Sequence, residues 1–526
     1  MKFRRWSFVV AVTLLASVVN PGSVAAQDNV TPDRHAQHHH YKLIDIPALG
    51  GPNSSVGFAG FIAKTMNPRG TAVGEADTST PDPFSPSCFF DCLVMHPAQW
   101  RNGVLTDLGA LPGVNSSAVT WINSRGWASG LSENGVIDPL TGFPETSAVL
   151  WKDGEIINLG TLGGNVSGAN ALNNRGQVVG GALNTIPDPF SATFATLFIK
   201  ETFPFFFFPV ATQAHAFLWQ NGAMQDLGTL GGPDSVAWFV NERGQVAGQS
   251  TINSIPSVTT GVPTVDPFFW DDGKMVDVGN FGGTFSFVSG LNNRGQMTGT
   301  MKLPGDLSNH PFLWDRGVLT DLGTFGGDNG VPNAINDAGE IVGFAGNQGN
   351  QAAIAFLWKH GVMINLGTLD VDQDSAAHSI NAKGQVVGES SPDLLFSFSS
   401  VRAFLWENGG PIVDLNTLIP PGSGMQLKIA ASINDRGEID GDGVLPNGDT
   451  HAFLLIPCDE DHPDVEGCDY DTVEGETESA VRPAQITQAP TPASGAKLSP
   501  AEMMTRFRSL RAGRNHRFGT PQTSPK

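Results

Sequence analysis

The sequence predicts an all-β fold, a β-propeller built of four-stranded blades, on three observations. One unit recurs eight times between residues 41 and 457. Each copy holds four short strand candidates divided by Gly- and Asn-bearing turns of the kind that join hairpins. A helical period is absent, and the 63 Gly and 36 Pro of the 526-residue chain would interrupt one. Four strands in a unit of roughly 44–51 residues is the pattern of a propeller blade.

The fullest copy, HAFLWQNGAMQDLGTLGGPDSVAWFVNERGQVAGQS, runs from His215 to Ser250. Its aromatic landmark recurs as Trp100, Trp151, Trp219, Trp270, Trp314, Trp358 and Trp406, with Leu455 in the eighth place. An N-x-x-G turn recurs at Asn67, Asn123, Asn173, Asn241, Asn292, Asn336, Asn381 and Asn434, and a glycine follows seven residues after each. From that glycine to the next Trp place the separation varies between 14 and 39. Nearly all length variation thus falls in one segment of the unit, and therefore on one face of the assembly.

The turns also order the strands. Crossing from an outermost strand to the next blade's innermost strand needs more than a two-residue turn, so QNG-type turns cannot make it and the TLGG segment can. The small residues of SGANALN suit a crowded centre. The expected order is therefore SxAxxIN innermost, GQVVG second, AFLW third and DLG outermost. YKLIDIPALGG then supplies an outer strand without predecessors, and HAFLL ends on a third strand without a successor. Each end supplies what the other lacks, which predicts eight blades closed by the N-terminal strand, since closure removes exposed edges.

The units HAFLWQNGAMQDLGTLGG and FLWDRGVLTDLGTFGG, with their N-x-x-G-x-V-V-G hairpins, resemble the HAF family of extracellular repeats of bacterial secreted proteins. The resemblance covers roughly residues 41–457. It implies export and a repeat architecture, and it carries over no functional residues. His is replaced in several AFLW elements, and the last DLG copy reads DLNTLIP.

The flanking segments set the compartment. Lys2, Arg4 and Arg5 precede an apolar run from Phe8 to Val19, and Val24-Ala25-Ala26 precedes Gln27, the pattern of a secretory signal over residues 1–26. Cleavage near Ala26 predicts a periplasmic or extracellular protein with no transmembrane segment in the mature chain. Residues 27–40 form a His-rich linker with His35, His38, His39 and His40, expected to be exposed. Four cysteines suit an oxidising space, and the expected disulfides are the local pairs Cys88–Cys92 and Cys458–Cys468, because the third strand ends on the face opposite the long loops. Residues 458–480 are acidic and residues 481–526 form a basic tail expected to be disordered.

Only 15% of residues are charged, against about 25% in ordinary globular chains, and 33 Phe with 11 Trp exclude general disorder. The net charge of −21 argues against nucleic acid as partner, and because the acidity belongs to the repeat region it also argues against a highly anionic ligand.

No G-x-S-x-G, H-E-x-x-H, P-loop or G-x-G-x-x-G occurs, so no catalytic residue, cofactor or metal site is assigned. Asp370, Asp372 and Asp374 resemble the opening of a calcium loop, but Ser375 replaces its turn Gly and Asn381 its bidentate Glu. Asp435, Asp440 and Asp442 read as a solvated face. The repeated Trp residues read as core, and the turn Asn and Gly as residues that tolerate positive φ. Four long loops carry related tetrapeptides: Pro81-Asp82-Pro83-Phe84, Ile137-Asp138-Pro139-Leu140, Pro187-Asp188-Pro189-Phe190 and Val265-Asp266-Pro267-Phe268. With Phe205, Phe206, Phe207 and Phe208 these loops offer aromatic groups either for binding or for packing under their own loops. The expected function is a monomeric binding module for an extracellular glycan or protein. The alternatives are a polysaccharide lyase or hydrolase on the same scaffold, and an envelope-associated structural protein.

Overall fold

The computed structural model describes residues 38–56, 64–84, 92–139, 144–188, 190, 212–392, 400–463 and 468. The signal segment, Phe205 to Phe208, Cys88 and the basic tail lie outside the described residues. The described residues form eight four-stranded antiparallel sheets, the blades of a β-propeller, and chain order within a blade is also spatial order. The third blade, Ser167–Leu172, Val178–Pro187, Thr212–Gln220 and Ala223–Asp226, is representative. Blades five and six share one parallel bridge, Asn309 to Asn329. In the eighth, Gln426–Ile433, Ile439–Val444 and Thr450–Pro457 are completed by Tyr41–Ile46, with Tyr41 opposite Pro457.

First strands of neighbouring blades meet at the centre, as the sequence order requires. Thr120 Oγ1 donates to Ala169 O at 2.9 Å, Asn170 Nδ2 to Ala237 O at 2.8 Å and Asn333 Nδ2 to Ala377 O at 2.7 Å. The core lies between blades. Phe217, Phe268, Phe312, Phe356, Phe404 and Phe453, two residues before each Trp place, are fully buried. Trp100, Trp151, Trp270 and Trp314 are buried as well, while Trp219, Trp358 and Trp406 are half-buried against the same clusters. Each Phe contributes about 1.5–3 kcal/mol by burial.

The glycine seven residues after each Asn has a steric cause. Most first strands bulge opposite the second, for example between Ala237 and Phe239. A Cβ on Gly180, Gly248, Gly299 or Gly388 would stand 2.0–2.2 Å from a first-strand carbonyl oxygen. Gly74, Gly130, Gly343 and Gly441 are equally tight, at 2.0–2.1 Å. Only a residue without a side chain fits there.

The turn asparagines do something the sequence reading missed. The turn glycines Gly70, Gly126, Gly176, Gly244, Gly295, Gly339, Gly384 and Gly437 have positive φ, whereas none of the eight Asn residues does. The Asn side chain instead bonds in two directions. Asn241 Oδ1 accepts from Arg243 N at 3.0 Å and Gln245 N at 3.1 Å, and its Nδ2 donates to Asn292 O of the next blade at 3.0 Å. The same inter-blade bond runs from Asn67 to Asn123 O, Asn123 to Asn173 O, Asn173 to Asn241 O, Asn292 to Asn336 O, Asn336 to Asn381 O and Asn381 to Asn434 O. The eighth runs from Asn434 back to Asn67 O at 3.3 Å.

The contact between the eighth blade and the first corrects a second expectation. Asp440 and Asp442 are buried rather than solvated. Thr65 Oγ1 donates to Asp440 Oδ2 at 2.7 Å, Ser432 N to Asp440 Oδ1 at 3.0 Å and Val56 N to Asp442 Oδ1 at 2.9 Å. Burial outweighs these hydrogen bonds and pushes Asp440 up to about 7. The linker expectation also fails at His38, which is buried against Glu407 with Nδ1 to Oε1 at 2.8 Å. Cys458 is bonded to Cys468, as expected from the strand directions. Cys92 is disulfide-bonded too, and its expected partner lies outside the described residues.

Two outcomes follow. Asn241→Ala removes four hydrogen bonds, one of them to the Gln245 side chain, and is expected to destabilise the chain by about 2–4 kcal/mol in urea unfolding. Asp440 holds its proton to higher pH when folded than when unfolded, so its stabilising contribution is complete near pH 4 and is lost as pH rises through about 7. Asp440→Asn is expected to flatten that part of the stability profile, measured as urea midpoints from pH 4 to 8.

Candidate binding face

Strand direction gives the propeller two unlike faces. Loops between second and third strands share one face with the crossings to the next blade. The Asn turns and the hairpins joining third to outer strands share the other. In the first four blades the second strand is long, Ala72–Pro81, Ala128–Ile137, Val178–Pro187 and Val246–Pro256, against Met297–Lys302 or Val386–Ser391 later in the chain. The extra length lifts four hairpins above the loop face.

The Asp of three tetrapeptides anchors these loops. Asp82, Asp138 and Asp188 are buried. Asp82 Oδ1 accepts from Phe84 N at 2.8 Å and Asp188 Oδ1 from Phe190 N at 2.9 Å. Each Asp also reaches the next blade: Ser116 Oγ donates to Asp82 Oδ2 at 3.3 Å and Asn165 Nδ2 to Asp138 Oδ2 at 3.0 Å, while the Asp188 carboxyl couples electrostatically with that of Asp234. Burial, then the neighbouring Asp188, pushes the Asp234 carboxyl up. Burial and Asp82 likewise push Glu133 up to about 7, against the Ser116 amide.

The expected aromatic residues are not brought together as one surface. Phe84 and Phe190 are half-buried. Phe268 is a correction: it lies in the strand Pro263–Asp271, fully buried at the core Phe position, because Val265-Asp266-Pro267-Phe268 is the AFLW element of the fourth blade and not loop. The exposed apolar groups stand beside the tetrapeptides instead. Val136, Ile137, Ile186, Ile255 and Val258 are exposed on the long hairpins, with Ile255 at 74%. Val114, Leu307 and Val371 join them on the same face. The other exposed large apolar residues are Val104, Val318 and Val362, each the first residue of an outer strand beside a turn-face hairpin, and Ile364 farther along an outer strand, so among the described residues the turn face has single valines on separate blades. The missed signal was a Val or Ile just before Asp-Pro or Pro, a place with no apolar neighbour across the hairpin to cover it.

Other candidate groups prove structural. Arg402 Nη1 lies 3.0 Å from Asp370 and Nη2 3.0 Å from Asp372, so a guanidinium occupies the acidic cluster that resembled a calcium loop. Among the described residues no group of three or more His, Cys, Asp or Glu could hold a metal ion. The recurrent His bonds the Asp of DLG: His96 with Asp107, His215 with Asp226, His310 with Asp321, and His451 with Asp45 from the chain's other end. Where His is lost the partner becomes Asn in the second and sixth blades, Ser147 with Asn158 and Ile354 with Asn365, but stays Asp in the fourth, Asp266 with Asp277, and in the seventh, Arg402 with Asp414 at 3.2 Å. Burial raises Asp226, but the His215 hydrogen bond, the Gly228 amide and the His215 charge outweigh it and hold the carboxyl below its ordinary range. At the channel centre, Lys64 pairs its backbone with the second blade, its N donating to Thr120 O at 3.1 Å. Burial pushes its ammonium down, and the carboxylates of Glu242, Asp435 and Asp337 on the neighbouring Asn turns pull it back up.

Among solved structures the chain is similar to the β-propeller domain of the trilobed protease from Pyrococcus furiosus, at 9% identity over 72% of this chain and 98% of that one, with a TM-score of 0.37. It is similar to dipeptidyl peptidase 4 from Porphyromonas gingivalis at 9% identity over 74% of this chain and 59% of that one, TM-score 0.42. An ulvan lyase from a polysaccharide lyase family matches at 9% identity over 73% of this chain and 99% of that one, TM-score 0.32. No known family matches the chain. No curated protein matches it either. No helix among the described residues is long and apolar enough to cross a membrane.

The anchors give a pH expectation. The Asp188–Asp234 pair keeps a proton more readily when folded, so its contribution is present at acid pH and lost as pH rises through the raised value. Asp234→Asn is expected to slow proteolytic cleavage of the third blade's long loop at pH 8 with little effect at pH 5.

Proposed function

We propose that the chain is an exported binding module, an eight-bladed ring that captures an extracellular glycan or protein through the loop face. The observation that carries this reading is the clustering of exposed apolar side chains: Val136, Ile137, Ile186, Ile255 and Val258 stand on three hairpins of adjacent blades, whereas the opposite face has single valines, Val104, Val318 and Val362, on separate blades among the described residues. Exposed apolar groups gathered on one face mark interaction surfaces, and hairpins pinned at their bases by buried Asp lose little entropy on contact. Export rests on the signal pattern of residues 1–26 and on the disulfide Cys458–Cys468, which suits an oxidising compartment. The resemblance of its units to HAF repeats accords with the same picture.

A polysaccharide-acting enzyme is the second reading, favoured by one observation, the buried amine of Lys64, whose charge is supported by Glu242, Asp435 and Asp337 on the Asn turns of three other blades. A proton-transfer role there would require Lys64 and would not require the hairpins.

A screen of the mature chain against glycans and extracellular proteins, with substrate depletion followed in parallel, separates the two. Ile186→Ser with Ile255→Ser is expected to weaken capture at least tenfold while leaving the thermal midpoint unchanged. Undiminished capture by that variant overturns the loop-face reading, and depletion abolished by Lys64→Ala supports the enzyme.

A further inference from the structure

The net charge of −21 conceals a basic region on the turn face. The third residue of the N-x-x-G turn is Arg in the first five blades, Arg69, Arg125, Arg175, Arg243 and Arg294, and none of the five makes an ion pair among the described residues; Arg294 Nη1 donates to the Asp337 and Ala338 carbonyl oxygens at 3.1 and 3.0 Å. One stretch of this arc departs from the repeat in a way the fold does not require. In the third, fourth, fifth and seventh blades the residue four after the turn Asn is Gln, and it bridges to the third-strand hairpin. Gln245 Nε2 donates to Asp271 at 2.9 Å, Gln296 to Asp315 at 3.1 Å and Gln385 to Glu407 at 2.7 Å.

The second blade changes both partners at once. Trp127 stands in the Gln place and Lys152 in the place of the acid. Trp127 keeps the bridge, since its Nε1 donates to Asp153 Oδ1 at 3.0 Å, so the indole is not needed for that bond. It adds a ring that gathers two cations: the Arg125 guanidinium carbon lies 4.9 Å from its centroid and Lys152 Nζ 4.4 Å. The sixth blade offers the contrast. There Lys359 also replaces the acid, but Glu340 replaces Gln and neutralises it. In the second blade neither Lys152 nor Arg125 makes an ion pair among the described residues; Asp153 accepts from the indole N–H, and Glu155 stands opposite Lys152 across the hairpin. Arg175 follows on the next turn, whose Gly176 backs onto the Trp127 ring, where a Cβ would come within 3.3 Å, and its guanidinium lies over Gly244 of the fourth blade, where a Cβ would come within 2.4 Å of its Nη2.

We propose that Arg125, Lys152 and Arg175, with Trp127 as the residue that positions the first two, bind an anionic polysaccharide carrying carboxylate or sulfate groups. Guanidinium forks match both groups in two-bond geometry, and an ammonium beside them supplies a further donor. Near these cations the turn face has no cluster of exposed large apolar residues among the described ones, only single valines on the first, fifth and sixth blades, which favours a soluble polyanion over a membrane. Repetition of Arg along five successive turns suits a polymer that presents its charges in series. This site is separate from the loop face, so either can fail without the other.

The test titrates the full mature chain with polygalacturonate and dextran sulfate, against neutral dextran and vesicles of phosphatidylglycerol. Expected are binding to one or both anionic polymers, weakening steeply with salt, and none to neutral dextran. Arg125→Gln with Arg175→Gln is expected to lower affinity at least tenfold. Trp127→Gln, which restores the residue found in four other blades, is expected to lower it several-fold with an unchanged thermal midpoint. Preference between the two polymers assigns carboxylate or sulfate. No binding to either polymer, equal binding by the variants, or retention on vesicles alone overturns the proposal.

Discussion

A side chain that bonds two blades at once governs this architecture. Each turn asparagine fixes its own turn through Oδ1 and reaches the neighbouring turn through Nδ2, as Asn173 does with Gln177 N at 3.1 Å and Asn241 O at 3.0 Å. Blade spacing is thereby tied to turn geometry, and an insertion on that side would break two sets of bonds together. Length variation is accordingly confined to the opposite face, where the second strand can be extended without disturbing the centre. The separation of a constant face from a variable one follows from that single amide.

The steric counterpart is the glycine of the second strand. It permits the first strand to bulge toward it and leaves room for the phenylalanine beyond, since a Cβ on Gly248 would come within 2.6 Å of the Phe268 ring. Pairing a missing side chain with a large one is how thin blades achieve dense packing. The carboxylates Asp440 and Asp442 show the same economy at the junction of the chain's two ends. There, buried polar bonds stand where Val387 and Val342 pack apolar surface in other blades.

Strand order, blade composition and the pairing of Tyr41–Ile46 with Thr450–Pro457 were legible because spacing and turn chemistry repeat, and repetition averages away local ambiguity. What depends on partners distant in sequence was not. The role of Asn67 or Asn241 is set by a carbonyl in the next blade, and that of Asp370 by Arg402, thirty-two residues on. Phe268 was misplaced because Asp-Pro-Phe occurs both in a loop and in a strand, and only burial tells them apart. The His–Asp partnership was recoverable: His stands eleven residues before Asp in three copies, a signal visible once the copies are stacked. Trp127 was equally visible as an aromatic in a Gln column.

The sheet assembled from both chain ends bears on the order of events during synthesis. Tyr41–Ile46 emerges among the first strands, yet its partner Thr450–Pro457 follows only after roughly four hundred further residues, about 20–80 s at ordinary elongation rates. Throughout that interval the strand is an unsatisfied edge. Its sequence, YKLIDI, interrupts the apolar run with Lys42 and Asp45, charges of the kind that keep waiting edges from pairing with the wrong chain. The protein thus carries a safeguard for a state that no longer exists once the last blade has formed.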